Sequence, residues 1–244
     1  MQHSATQLPC PDIEPSLTAS ELEDFSYIVS HDLASSFRHV SEFSRLLVGE
    51  LQDGLTEPQA AYAARSVAAT TKGQAMLEAL LVYSRVQHKR LDRQPDDAAA
   101  TMRRALLMLA PEMRASGAAV KIAPLGEIQC DPRLLAIALQ ALMSNAIKFH
   151  HPGGRPRITV DLANDAVFWR IRITDNGVGV DVADREKVFR MFHRLDSDDD
   201  YPGIGAGLTI CRRIARRHGG EVMFLDCTGG ARVELSLPHT MAAQ

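Results

Sequence analysis

From Thr18 to Val48 the chain contains neither proline nor glycine, and that uninterrupted run restricts the fold more than any other stretch. Thr18 with Glu21 three residues on has the form of a capping box, so a long helix is expected to start there. With Val29 at zero on a 100° wheel, Leu22, Phe25, Leu33, Val40, Phe43, Leu47 and Leu51 all fall within about 40° of it. So narrow an apolar stripe suits the seam of a helical bundle. Asp53 and Gly54 then supply a turn, and Thr56, Glu57, Pro58 and Gln59 open a second helix running to about residue 90. Its seam carries the polar Thr71 and Gln74, so its register is set less firmly. A two-helix hairpin cannot enclose a core by itself. Two hairpins from two chains can, as a four-helix bundle, and a homodimer is the expectation.

On the same wheel His31 lies roughly 200° from the stripe centre, which turns it toward solvent. An exposed imidazole can offer a neutral ring nitrogen to an incoming phosphoryl group, while an adjacent carboxylate orients the other nitrogen and stabilises the developing charge. Asp32 supplies that carboxylate. Taken alone, an exposed helical histidine is usually just a surface residue, so the weight falls on the motifs of the second half of the chain.

That half contains DNGVGV, with Gly177 and Gly179, and then YPGIGAGLTI, with Gly203, Gly205 and Gly207 opening an apolar helix pattern. Glycines let the backbone approach a polyphosphate, and a helix beginning at about Ala206 adds its positive end to the anion site. No lysine and serine or threonine follow the glycines, and no strand-turn-helix dinucleotide fingerprint is present, so a different class of ATP site is implied. After the polar break RQPDD, a helix is expected over about 98–115, with strands near 120–122 and 127–130. Asp131 and Pro132 cap a further helix ending near Phe149. ITVDLA and VFWRIRIT read as strands around a turn at Asn164 and Asp165, and EVMFLD and ARVELSL complete the set. One sheet with helices on one face is the economical α+β solution.

The segments SHDLASSFRHV, LMSNAIKFHHPGG and VFRMFHRLDSDDDYPG stand in order with the two glycine motifs. On these residues the chain resembles the transmitter module of bacterial sensor histidine kinases over about residues 20–238, and from FHRL through GGEV it is similar to the phytochrome-type subgroup. The resemblance implies a tail over 1–19, a dimerisation and phosphoacceptor domain over 20–92, and a catalytic domain over 96–244. The first domain would be an all-α helical hairpin forming a dimeric four-helix bundle. The catalytic domain would be a two-layer α+β sandwich of the GHKL (Bergerat) ATPase type shared with gyrase, Hsp90 and MutL. The resemblance also implies His31 as phosphoacceptor with Asp32 as its activating partner, Asn145 as the Mg²⁺ ligand and Lys148 facing the phosphates. Asp175 would accept from the adenine amine, on a turn shaped by Gly177 and Gly179. Phe189, Phe192 and Arg194 would form an aromatic box beside a short acidic lid, and Gly203, Gly205, Gly207 and Leu208 would hold the nucleotide. The activity implied is ATP-dependent autophosphorylation in a two-component system, with phosphotransfer to an aspartate on a response-regulator receiver domain. The stimulus would come from an upstream sensor domain or a separate sensor protein.

Three positions depart from that pattern. Ser36 stands where the family usually has a proline, Ser35 where a threonine or asparagine accompanies phosphatase activity, and Ala141 where a second asparagine precedes the metal ligand. Ala141 also argues against the main rival, a gyrase- or Hsp90-type ATPase, which places a glutamate there to activate water. A third reading is an inert phosphotransfer or scaffold protein, which the intact glycines disfavour.

A net charge of −3 gives no broad reason to bind nucleic acid or an acidic membrane surface, and neither is expected. The arginines of RRIARRHGG read as a solvated helix face, and HKR and HHPG are too short for metal sites. Cys10, Cys130, Cys211 and Cys227 form no CxxC pair, which fits reduced thiols and a cytoplasmic setting. No run approaches the ~18 apolar residues of a spanning helix, so no membrane segment is expected in the chain.

Overall fold

A computed structural model describes the backbone of residues 19–50, 54–88, 90–195 and 201–239; in the first helix the side chains described are those of Leu33 and residues 35–50. Helix α1 spans Ala19–Glu50 and α2 spans Glu57–His88. The proposed Thr18 cap lies outside the described residues. The second cap closes as its residues require, with Thr56 N donating to Gln59 Oε1 at 2.8 Å. The helices pack side by side, and Gly73 sets their spacing: a Cβ there would come within 2.9 Å of the Phe37 ring. This contact uses a face of α1 beside the apolar stripe, with Ser41 buried. The stripe itself is left open in the single chain, since Leu33, Val40, Phe43 and Leu47 are 44%, 51%, 68% and 58% exposed.

The second domain opens with β1 (Gln94–Asp97), which pairs antiparallel with β3 (Glu127–Cys130). The sequence suggests only a polar break here. QPDD has no apolar alternation to announce a strand, and only its partner, far along the chain, organises it. Asp97 then caps α3 (Ala98–Met108), accepting from Ala99 N at 2.9 Å. The single helix expected over 98–115 is two helices, α3 and α4 (Ala110–Ser116), broken at Leu109. Pro111 accounts for the break, because it carries no N–H to continue the ladder and disfavours helical geometry in the residue before it.

The main sheet has the order β2-β4-β5-β7-β6. Its strands are β2 (Ala119–Ile122), β4 (Arg157–Asn164), β5 (Phe168–Thr174), β6 (Glu221–Leu225) and β7 (Arg232–Pro238). The β2–β4 pair is parallel and the others are antiparallel. Alternate residues Ile158, Val160, Ile171, Ile173, Val222 and Leu235 are buried against Leu135, Leu139 and Met143 of α5 (Pro132–Lys148) and Ile214 of α6 (Gly207–Arg217). Asp131 caps α5 through Arg133 N and Leu134 N. The two helices therefore lie on the same face of the sheet, and their ends define the site.

The arginines of α6 are not merely solvated. Arg212 pairs with Glu186 and Glu221, and Arg216 also reaches Glu221. Arg213 lies over the Tyr83 ring at 5.7 Å, and Arg217 donates to the carbonyl of Val86. Through these contacts the last turns of α2 dock on α6, with Val86 only 2% exposed. The hairpin and the sandwich are thus packed together at this end rather than joined by a bare linker.

Candidate nucleotide site

A cleft of about 310 Å³ opens between α5, the loop after β5 and the loop before α6. Ala141, Ser144, Asn145 and Lys148 line one wall. Their spacing of three, one and three residues puts them on a single helix face. Lys148 is mostly desolvated, and burial pulls its ammonium below the ordinary lysine range, opposed by the charge of Glu112 on α4. Across the cleft, Gly203, Gly205, Gly207 and Leu208 line the wall that opens α6. Gly205 has φ +71, and a Cβ there would come within 2.6 Å of the His193 carbonyl oxygen, so this turn requires glycine.

At the other end Asp175 leaves β5 with its carboxylate in the cleft. Its Oδ1 accepts from Gly177 N at 2.8 Å and Ala231 N at 3.0 Å. Burial raises its pKa and those two amides lower it, with burial the larger effect. Both amides fall on one oxygen, so Oδ2 is the atom presented to a donor. Apolar Ile173, Val233 and Phe224 flank it. A flat aromatic base with one amine fits a pocket of this make-up, and an anion fits the opposite end.

Not every residue singled out in the sequence lines this cleft. Gly177 does not: its amide holds Asp175 and a Cβ would sit 2.1 Å from the Phe149 carbonyl oxygen, so it serves the turn. Phe192 does not either. It adopts φ 61, its amide donates to Gly205 O at 2.9 Å, and its ring packs against the core. That amide ties the turn at Phe192 to the glycine loop, with the ring partly buried. Phe189 is likewise buried, 5.8 Å from the Phe224 ring. Gly179 and Arg194 do line the cleft, and Arg194 donates to the carbonyls of Tyr201 and Gly203, at 2.6 and 2.9 Å, which fastens the start of the glycine loop.

Tyr201 is a lining residue that sequence reasoning missed. Its ring lies 5.1 Å from Phe149 and its hydroxyl donates to His150 O at 3.1 Å. Its place just after the acidic run was the only signal, and the contact that matters comes from the end of α5. The backbone of His31 and Asp32 lies on α1, while their side chains and the acidic residues 196–200 fall outside those described. Mg²⁺ takes oxygen donors and keeps much of its water. The amide oxygen of Asn145 beside Ser144 fits that preference, and no cluster of three or more His, Cys, Asp or Glu is found among the described residues to suit another metal.

Residues 130–241 match the family described as histidine kinase-, DNA gyrase B-, and HSP90-like ATPase. The matched stretch takes in every residue that lines the cleft. With the helical hairpin before it, the chain has the make-up of a sensor histidine kinase transmitter. The phytochrome-like protein Cph1 of Synechocystis is 29% identical over 90% of this chain and 29% of its own length. The transmitter therefore spans about three-tenths of that curated relative. Full-length ShkA in complex with AMPPNP superposes with a TM-score of 0.65 at 25% identity, covering 91% of this chain and 47% of that one. Histidine kinase ThkA, in a structure with response regulator protein TrrA, gives a TM-score of 0.61 at 16% identity over 91% of this chain and 64% of that one, a likeness of fold. No described helix is long and apolar enough to cross a membrane.

Proposed function

We propose that this transmitter binds Mg²⁺-ATP in the cleft, transfers the γ-phosphoryl group to His31, and passes it on to an aspartate of a response-regulator receiver domain. The observation that carries this reading is the polarity of the cleft: one buried carboxylate oxygen among apolar walls at one end, and Asn145, Lys148 and the glycine loop at the other. Asp175 Oδ2 would accept from the adenine amine. Lys148 and the first amides of α6 would face the phosphates. Asn145 would hold Mg²⁺, which when bound supplies charge neutralisation to the phosphates.

Transfer itself asks little covalent chemistry of the chain. A ring nitrogen of neutral His31 forms the new N–P bond as the bond from the γ-phosphorus to its bridging oxygen breaks, and ADP leaves with that electron pair. Asp32 would orient the ring and hold the proton on its other nitrogen, stabilising the cationic phosphoimidazole. The regulator's carboxylate oxygen then displaces the imidazole from phosphorus, restoring His31. The open stripe on α1 supports a homodimer, since four large apolar residues more than 40% exposed along one helix face call for a partner surface. Buried free Cys130 and Cys211 accord with a reducing, cytoplasmic setting.

The direct experiment is labelled ATP with the purified chain. Acid-labile, base-stable phosphate should appear on the wild type and vanish in His31→Gln while nucleotide binding persists. Undiminished incorporation in that variant would remove His31 from the reaction.

A further inference from the structure

Ala141, one turn before Asn145, presents only a methyl group to the site. An exposed carboxylate on a different helix, itself outside the cleft lining, bonds to one residue of the α5 wall. Glu112 of α4 accepts a hydrogen bond from Ser144 Oγ at 3.2 Å, and Ser144 itself lines the cleft next to Asn145. Glu112 is also the acidic group whose charge supports the Lys148 ammonium against burial, so its field acts on the phosphate end of the site. Asp175, the carboxylate among the lining residues, is committed at the opposite end by two backbone amides.

A carboxylate beside a polyphosphate pocket is unfavourable for the nucleotide alone, because like charges repel in a partly desolvated site. It becomes favourable when a divalent cation stands between it and the phosphates. Mg²⁺ characteristically uses one or two carboxylates with substrate phosphates and retains several waters. A carboxylate can also act through that water shell, orienting the ligands that touch the metal and tuning its affinity.

We propose that Glu112 is a metal-positioning residue of this site, brought in across the α4–α5 contact and held by Ser144, where it supplies the anionic charge that Ala141 cannot. The proposal rests on the reading of the cleft as a Mg²⁺-nucleotide site. In it Asn145 would be the oxygen donor to the ion, and Glu112 would supply negative charge beside it, acting through Ser144. Glu112 stands on α4, the helix that restarts after the break at Leu109, and meets Ser144 of α5 from there.

The test is Glu112→Gln, which keeps an oxygen able to accept from Ser144 but removes the charge. Binding of a non-hydrolysable ATP analogue is measured by calorimetry for wild type and variant, with saturating Mg²⁺ and again with excess chelator. The expected result is opposite in sign in the two conditions: at least fivefold weaker binding with Mg²⁺, and equal or tighter binding without it. Competition by Mn²⁺, read from its electron spin resonance signal on the nucleotide complex, should show the same loss of cation affinity. Equal Mg²⁺ dependence in both proteins overturns the role of Glu112 while leaving the nucleotide site intact. A parallel drop in both conditions also overturns it, because a merely structural defect would act that way. A wild type that binds no nucleotide ends the functional reading itself, and this inference with it.

Discussion

His218 is fully buried at the C-terminal end of α6, and its two ring nitrogens have opposite duties. Nε2 accepts from the backbone amide of Asp131 at 3.0 Å, so Nδ1 carries the proton and donates to Ile214 O at 2.8 Å. Only the neutral ring satisfies both bonds. Burial, the largest cause, lowers its pKa below the ordinary value. The unfolded chain therefore takes up a proton near its ordinary pKa of about 6.5 while the folded chain does not. Stability is fully present above that pH and falls as pH drops below it, at most by about 1.4 kcal/mol per pH unit from this group. Thermal melts between pH 8 and pH 5 should show a steeper decline for wild type than for His218→Gln, and equal slopes would remove His218 from the acid response. At the same scale, Asp175→Asn is expected to abolish analogue binding without changing the oligomeric state. The amide oxygen must face Gly177 N and Ala231 N, which turns the NH₂ group toward a donor on the base. Calorimetry showing wild-type affinity in that variant would remove Asp175 from base recognition.

At the scale of elements, the hairpin and α5 carry the clearest sequence signals and the clearest consequences. The stripe on α1 was legible because 3.6-residue periodicity needs no knowledge of the partner. What it could not reveal is which face meets α2, since Phe37 and Gly73 find each other through a gap that only the packed pair defines. The stripe is left for another surface. Val40→Glu, at a position 51% exposed in the single chain, should therefore split a wild-type dimer into monomers at tens of micromolar, because an unpaired charge in the seam costs several kcal/mol at each of two symmetric places. Light scattering checks it, and a dissociation constant near 10 μM, about 7 kcal/mol of association, is within its reach. A wild type found monomeric at that concentration would mean that the stripe has some other partner. The β1 strand and the α3–α4 break lie at the other extreme, one written in polar residues and the other in a single proline.

For the whole molecule, the order and spacing of motifs located the nucleotide cleft, because glycines, caps and alternating strands are local statements about what the backbone can do. Asn145, Lys148, Asp175, Gly179, Arg194, Gly203, Gly205, Gly207 and Leu208, which the family resemblance implies as site residues, line one cavity. Gly177 and Phe192 stand behind it, as the supports of the turn and of the glycine loop. Residues supplied from elsewhere were illegible for a common reason. Tyr201 matters through Phe149 and Glu112 through Ser144, and each pair is separated by tens of residues in the chain and by nothing in space. The docking of α2 on α6 is of the same kind, with Arg217 meeting the Val86 carbonyl across most of the second domain. Local propensity and periodicity thus determined which elements exist and which face of each is apolar. Only the tertiary structure decided which side chains share a site, because long-range contacts are set by how whole elements pack and leave no repeating mark on the sequence.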